Sequence, residues 1–187
     1  WEKAGLDALP IVVNISGLHL KQRNVYHMIS RALEASRLDP RHLEIEVSER
    51  VITKEIAFAL NVFGRLHQLG VRVAVKDYGT AYSSLLDLRR LSLDAVKIDP
   101  TLIREVPHNA DYTAIVGAII ALAHRLGTRV VAPAVETKEQ LEFLTAQGCD
   151  EIQGYLVSKP LPATEFEQQV SAIAARPDAA QINRATH

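Results

Sequence analysis

Short β-branched, apolar runs alternate along this chain with longer stretches in which apolar residues recur every three or four positions. The runs predict strands at Pro10–Ile15, Leu43–Val47, Val71–Val75, Ala95–Ile98, Arg129–Ala132 and Glu151–Tyr155. Between them lie four helical patterns: Val25, Ile29, Leu33; Ile56, Ala59, Leu60, Phe63, Leu66; Ile115, Ala118, Ile119, Leu122; and Leu141, Leu144. The punctuation agrees. Gly70 and Gly127 fall just past helix ends, Asp39-Pro40 breaks the chain before a strand, and Thr137 with Gln140 spells a capping box. Repeated βα units predict a mainly parallel sheet with helices outside it.

Six such units are visible, whereas a closed (β/α)₈ barrel needs eight and about 250 residues. A doubly wound sheet is the alternative, but N-I-S-G-L-H-L after the first strand lacks its glycine-rich phosphate fingerprint. Trp1 to Ala4 followed by Gly5 reads as the last turn of a helix. The expectation is therefore an incomplete TIM-like α/β barrel over residues 1–176 whose first two strands lie upstream of Trp1. A flexible polar tail is expected over 177–187. No internal repeat, low-complexity tract or linker stands out.

Chemistry gathers at the strand ends. The stretch Val71 to Leu85, V-R-V-A-V-K-D-Y-G-T-A-Y-S-S-L, starts as a strand, breaks at Lys76-Asp77 and turns at Gly79. Asn14 and Ser16 follow the first strand, Glu46 and Glu49 the second, Lys97 and Asp99 the fourth, Glu136 the fifth and Gln153 the sixth. One polar residue at one strand end is ordinarily a helix cap or a loop charge. Recurrence at successive ends of a parallel barrel places them on one mouth, and an asparagine with several carboxylates is the oxygen-rich set that hard cations such as Mg²⁺ prefer.

Composition narrows the partners. A net charge of −1 provides no field for nucleic acid or a membrane surface, and the aromatics are too sparse for a base-stacking platform. No apolar run approaches the roughly 18 residues of a spanning helix. A single cysteine, Cys149, excludes an internal disulfide and fits a cytoplasmic setting. The seven histidines show no H-x-x-x-H or H-E-x-x-H spacing and read as surface or helix residues. Ser83-Ser84 offers hydroxyls with no local histidine to activate them.

The ordered motifs N-I-S (14–16), L-E-I-E-V-S-E (43–49), K-D-Y-G-T-A-Y-S-S-L (76–85), V-K-I-D (96–99), V-E-T-K-E-Q-L (135–141), G-C-D-E-I-Q-G-Y (148–155) and P-L-P (160–162) resemble the EAL domain family of cyclic-di-GMP phosphodiesterases. The resemblance implies a TIM-like barrel with one antiparallel strand and Mg²⁺- or Mn²⁺-dependent hydrolysis of one phosphodiester. It implies metal ligands at Asn14, Glu46 and Asp77, and cyclic-di-GMP contacts at Asn14, Asp77, Gln153 and Pro160. By the same resemblance Lys97 stands near the attacking water, Glu136 is the second glutamate of an A-E-G-V-E motif, and Glu49 braces the loop after the third strand. It also implies companion signalling domains in the same polypeptide.

The departures fall on the reactive positions. The family's paired aspartates read Lys76-Asp77, which puts an ammonium where a metal ligand belongs. In A-P-A-V-E (132–136), Pro133 replaces the glutamate assigned as general base, and proline can neither take a proton nor ligate a metal. Ala81 and Ala134 replace glycines, and the signature E-A-L segment would lie upstream of Trp1. Carboxylates about 4 Å apart repel by roughly 4 kcal/mol at an effective dielectric of 20, and a lysine among them turns that into attraction. Lys76 is accordingly expected to pair with Glu46 or Asp77 in place of a metal. The sequence reads as a non-catalytic cyclic-di-GMP receptor or signalling module holding no metal. An active phosphodiesterase and a scaffold without nucleotide are the alternatives. An open barrel edge predicts a homo-oligomer.

Overall fold

The computed structural model describes residues 9–21, 24–80 and 89–174. The Trp1–Gly5 turn, Ala81, Ser83-Ser84 and the tail beyond Pro177 lie outside these residues. Six parallel strands are hydrogen-bonded in chain order: β1 (Ile11–Ile15), β2 (Leu43–Ser48), β3 (Arg72–Tyr78), β4 (Ala95–Ile98), β5 (Arg129–Ala132) and β6 (Glu151–Ile152). Helices α1 (Gly17–Lys21), α2 (Val25–Ser36), α3 (Glu49–Lys54), α4 (Ile56–Leu69), α5 (Pro100–Glu105), α6 (Ala110–Arg125), α7 (Lys138–Ala146) and α8 (Ala163–Ala174), with a short 3-10 helix at Pro40–His42, complete the described elements. Sequential parallel order with helical crossovers is the layout of part of a (β/α) barrel. The described strands are all parallel, so an antiparallel strand is not among them.

Strand alternation separates two layers. Ile45, Val47, Val73, Val75, Val96, Ile98 and Val130 belong to the main core with the buried helix faces, such as Ala59, Val62, Phe63 and Leu66 of α4. Fully burying a side chain like Phe63 contributes about 2–3 kcal/mol. The alternate residues face the concave side of the sheet, where Ala74, Ala95 and Val131 form a small apolar layer. Below it Arg129 spans the interior, donating to Glu44 at 2.8 Å and to Glu151. The polar half of L-E-I-E-V-S therefore points inward, into a lumen lined with charge.

The lower rim carries one device twice. Asp94, just before β4, accepts the Val73 amide at 2.7 Å and meets His67 Nε2 of α4 at 3.0 Å. Asp150, just before β6, accepts the Val130 amide at 2.8 Å and meets His124 Nε2 of α6 at 2.8 Å. Each clamp ties a helix end, a strand start and the next strand's approach into one node. The histidine spacing gave no sign of this, because each partner lies a whole βα unit further along the chain.

Two boundaries differ from the sequence reading. The third strand does not break at Lys76-Asp77 but runs through to Tyr78, with its register to β4 shifted between Val75 and Tyr78 and Asp77 at φ 57°. A bulge of this kind is how a strand re-aims side chains near a site. The sixth strand stops at Ile152, not Tyr155, because Gln153 turns to bond the loop after β5. The capping box forms as read: Thr137 accepts from the Gln140 amide while the Gln140 side chain accepts from the Thr137 amide.

Candidate functional site

The upper rim is built by strand ends held in place from below and behind. Asn14 on β1 is register partner to Glu46 on β2, and Lys76 on β3 to Ser48. Glu46 is only 3% exposed. Its Oε1 accepts from Lys97 Nζ of β4 at 2.9 Å, the two side chains being 4% and 19% exposed. This corrects the expected pairing of Lys76 with Glu46 or Asp77. Lys97, reaching across from β4, holds Glu46, and among the described residues Lys76 has no ion pair. Lys97 and Glu46 share the concave face because Ala74 is in register with both Glu46 and Ala95, two residues before Lys97.

Glu49, 2% exposed at the start of α3, accepts the Gly79 amide through Oε2 at 3.1 Å. Gly79 turns at φ 105°, and a Cβ there would stand 2.8 Å from both Leu102 and Ile119. The glutamate thus fastens a turn that only glycine fills. Burial, reinforced by the Glu49 carboxylate, pushes the neighbouring Tyr78 phenol up to about 12. Asp99 is occupied as a helix cap, accepting from the amide and hydroxyl of Thr101 at 2.8 and 2.6 Å.

On the other side of the mouth, Pro133 and Ala134 bulge between backbone bonds. Gln153 donates to Ala132 and accepts from Val135, and Leu156 donates to Val135. Ala134 sits at φ 56°, a left-handed conformation that costs an L-residue roughly 1–2 kcal/mol. Gly154 presses so closely on this loop that a Cβ would lie 2.2 Å from the Val135 carbonyl oxygen. Buried Gln140 accepts from the Glu136 and Thr137 amides and donates to Ile103 O at 3.0 Å, which joins the loop to α5.

These loops and α8 border an open cavity of about 720 Å³. Lys97, Pro133, Glu136, Gln153 and Pro160 line it, so five of the sequence candidates share one wall system. Asn14, Glu46, Lys76, Asp77 and Glu49 are not in its lining. The sequence reading missed Arg104, Lys159, Tyr155 and Phe166, which also line it. With Lys97 already paired to Glu46, Arg104 and Lys159 face a single carboxylate, Glu136, so the cavity keeps a net positive lining that favours an anion. Lys159 also lies 5.8 Å from the Tyr155 ring centroid. The signal for Arg104 was available only through α5, whose first residue follows the V-K-I-D strand end.

The donor set suits a hard cation poorly. Among the described residues no group of three or more His, Cys, Asp or Glu side chains converges to hold a metal ion. The best-placed carboxylate, Glu46, already carries a lysine. Pro133 offers no donor toward the cavity.

Known proteins place the chain. A family model described as "EAL domain" matches residues 1–160. MucR of Pseudomonas aeruginosa, a bifunctional diguanylate cyclase and cyclic di-GMP phosphodiesterase, is 38% identical over 93% of this chain and 25% of its own length. The cyclic di-GMP phosphodiesterase NbdA of the same organism is 40% identical over 90% of this chain and 22% of its own length. The chain thus spans about a quarter of these curated relatives. The MucR phosphodiesterase structure with c-di-GMP superposes with a TM-score of 0.86 at 38% identity, covering 89% of this chain and 67% of that one. The EAL domain of Mycobacterium smegmatis DcpA gives 0.86 at 31% identity, covering 92% and 78%. Those neighbours are TIM-like barrels, of which the six-stranded sheet is a part, and no described helix is long and apolar enough to cross a membrane. By the match over residues 1–160, the chain belongs to the EAL domain family.

Proposed function

We propose that this EAL domain is a regulatory module that recognises cyclic-di-GMP in the complete barrel without hydrolysing it. The observation that carries the reading is Pro133 in the cavity wall, where the family's general base is expected, together with Lys76 on the rim in register with Ser48. Two-metal hydrolysis needs bridging carboxylates, a metal-bound hydroxide and an acceptor for its proton. Here one such carboxylate is neutralised from within, Lys76 adds a second ammonium to the rim, and Pro133 removes the acceptor. Asn14, Glu46 and Asp77 are vestigial Mg²⁺ or Mn²⁺ ligands in this reading, and Lys97 and Glu136 are vestigial catalytic positions. Asn14, Asp77, Gln153 and Pro160 are cyclic-di-GMP contacts, with Glu49 bracing the Gly79 turn. The phosphodiesters fit the cationic cavity by charge. Partners would include other signalling domains of a longer polypeptide, since the matched relatives are about four times longer.

The opposing reading, an active phosphodiesterase, is favoured by 40% identity to NbdA. The test is a hydrolysis assay with Mg²⁺ and with Mn²⁺, alongside calorimetry with cyclic-di-GMP, on the polypeptide carrying the full barrel. Binding without turnover is expected, and Lys76→Asp alone should not restore turnover because Pro133 remains. Metal-dependent turnover abolished by Glu46→Ala would overturn inactivity. Absence of any binding heat or thermal shift would replace the receptor by an interaction scaffold.

A further inference from the structure

We propose that Gln140 is a positioning residue of the cavity, whose single side-chain amide fixes the wall carrying Arg104 against the wall carrying Glu136. The inference deepens the receptor reading and rests on it, since it concerns the same cavity. Gln140 lies on the first turn of α7, buried and outside the lining. Its Oε1 accepts from the Glu136 amide at 2.8 Å and from the Thr137 amide at 3.1 Å, while its Nε2 donates to Ile103 O at 3.0 Å. Glu136 is the carboxylate of the lining, and Arg104, next in the chain after Ile103, is one of its cations. One side chain therefore joins the backbones of both.

The bond to Ile103 answers a group that the helix itself cannot serve. Ile103 sits in the last turn of α5, where carbonyls run out of intrahelical amides. The residue four positions on is Pro107, which has no N–H, and Ile103 is fully buried. A carbonyl left there without a donor would carry its full desolvation cost. The same bond explains why the residue is glutamine. The capping box with Thr137 accepts glutamate or glutamine equally, and glutamate would take both amides. Only the amide adds a donor on the same planar group, and asparagine is one methylene short. Without the tie, α5 and the loop after β5 can move apart, and the spacing of Arg104 from Glu136 is no longer set before a ligand arrives. Lost preorganisation of that kind lowers affinity.

The test compares Gln140→Glu with the parent in the polypeptide carrying the full barrel, with Leu144→Ala on the same helix as a control for lost stability. Glutamate keeps the acceptor for Glu136 and Thr137 and removes the donor to Ile103 O. Amide hydrogen exchange without ligand should quicken at Ile103, Arg104 and Glu105 and stay at the parent rate at Glu136 and Thr137. Calorimetry should show cyclic-di-GMP bound about fivefold to tenfold more weakly, the worth of one lost hydrogen bond. Leu144→Ala empties a fully buried site, so it should lower Tm while the folded protein binds as the parent does. If Gln140→Glu does not fold, Gln140→Met decides on the same readouts, with exchange quickened at Glu136 and Thr137 as well. Unchanged exchange in α5 would overturn the tie. Unchanged affinity, or an equal loss in Leu144→Ala, would overturn the positioning role. A parent that binds no nucleotide fails the receptor reading instead, and the exchange pattern then decides by itself whether Gln140 joins the two walls.

Discussion

Replacing Lys97 by methionine tests the buried ion pair that anchors the rim. Two unit charges 2.9 Å apart attract by roughly 6 kcal/mol at an effective dielectric of 20. Desolvation of both groups offsets much of that, so the net worth of the pair is small. Removing one partner is different, because it leaves a carboxylate in the interior without its cation, at a cost of about 3–5 kcal/mol. Lys97 keeps 19% exposure, and water reaching that end places the loss near the bottom of the range, at about 3 kcal/mol. For a chain of this size that lowers Tm by about 6–12 °C. Urea unfolding followed by circular dichroism should show the loss in Lys97→Met, and Lys97→Met with Glu46→Leu should recover most of it. The vacated Glu46 becomes available to a cation, so millimolar Mg²⁺ or Mn²⁺ should raise the Tm of Lys97→Met and leave the parent unmoved. A loss below about 1 kcal/mol, the value of a surface pair, would refute the buried-pair reasoning. So would additive effects of Lys97→Met and Glu46→Leu.

Three further outcomes are expected. Gly154→Ala should cost about 3 kcal/mol or more in urea unfolding, because its Cβ has no room beside the Val135 backbone at 2.2 Å. Ala134→Gly should stabilise by about 1 kcal/mol, since φ 56° strains alanine by more than glycine's added chain entropy, and an unchanged midpoint would argue against strain there. Alkaline stability should fall as pH rises from about 9 through about 12. Tyr78 and Cys149 ionise less readily when folded, their values raised from 10.0 to about 12 and from 9.0 to about 11, so the unfolded state sheds protons first. Tyr78→Phe combined with Cys149→Ala should flatten that limb in pH-dependent melting.

How far the sequence carried the fold follows from what each signal depends on. β2, β4 and β5 were readable because β-branched alternation is local, and α4 because its apolar stripe recurs over three turns. The bulge at Asp77 and the early end of β6 were not. Both depend on hydrogen bonds to other strands, and both interrupt runs whose side chains look like strand. The strand ends identified the rim, yet the ion pair chose Lys97 over Lys76. That choice is set by register across three strands, not by adjacency in the chain. Arg104 and Lys159 escaped notice because a helix and a late loop carry them to the cavity, away from any strand end.

The paired His–Asp clamps bear on how such a domain can drift. They grip the entry ends of the strands, at Val73 and Val130, while every substitution that bears on chemistry sits at the exit ends. Residues that keep the sheet in register are therefore not the residues that would turn over a substrate. A change at position 76 or position 133 leaves both clamps untouched. The architecture therefore lets the exit rim vary in sequence while the sheet that carries it stays in register.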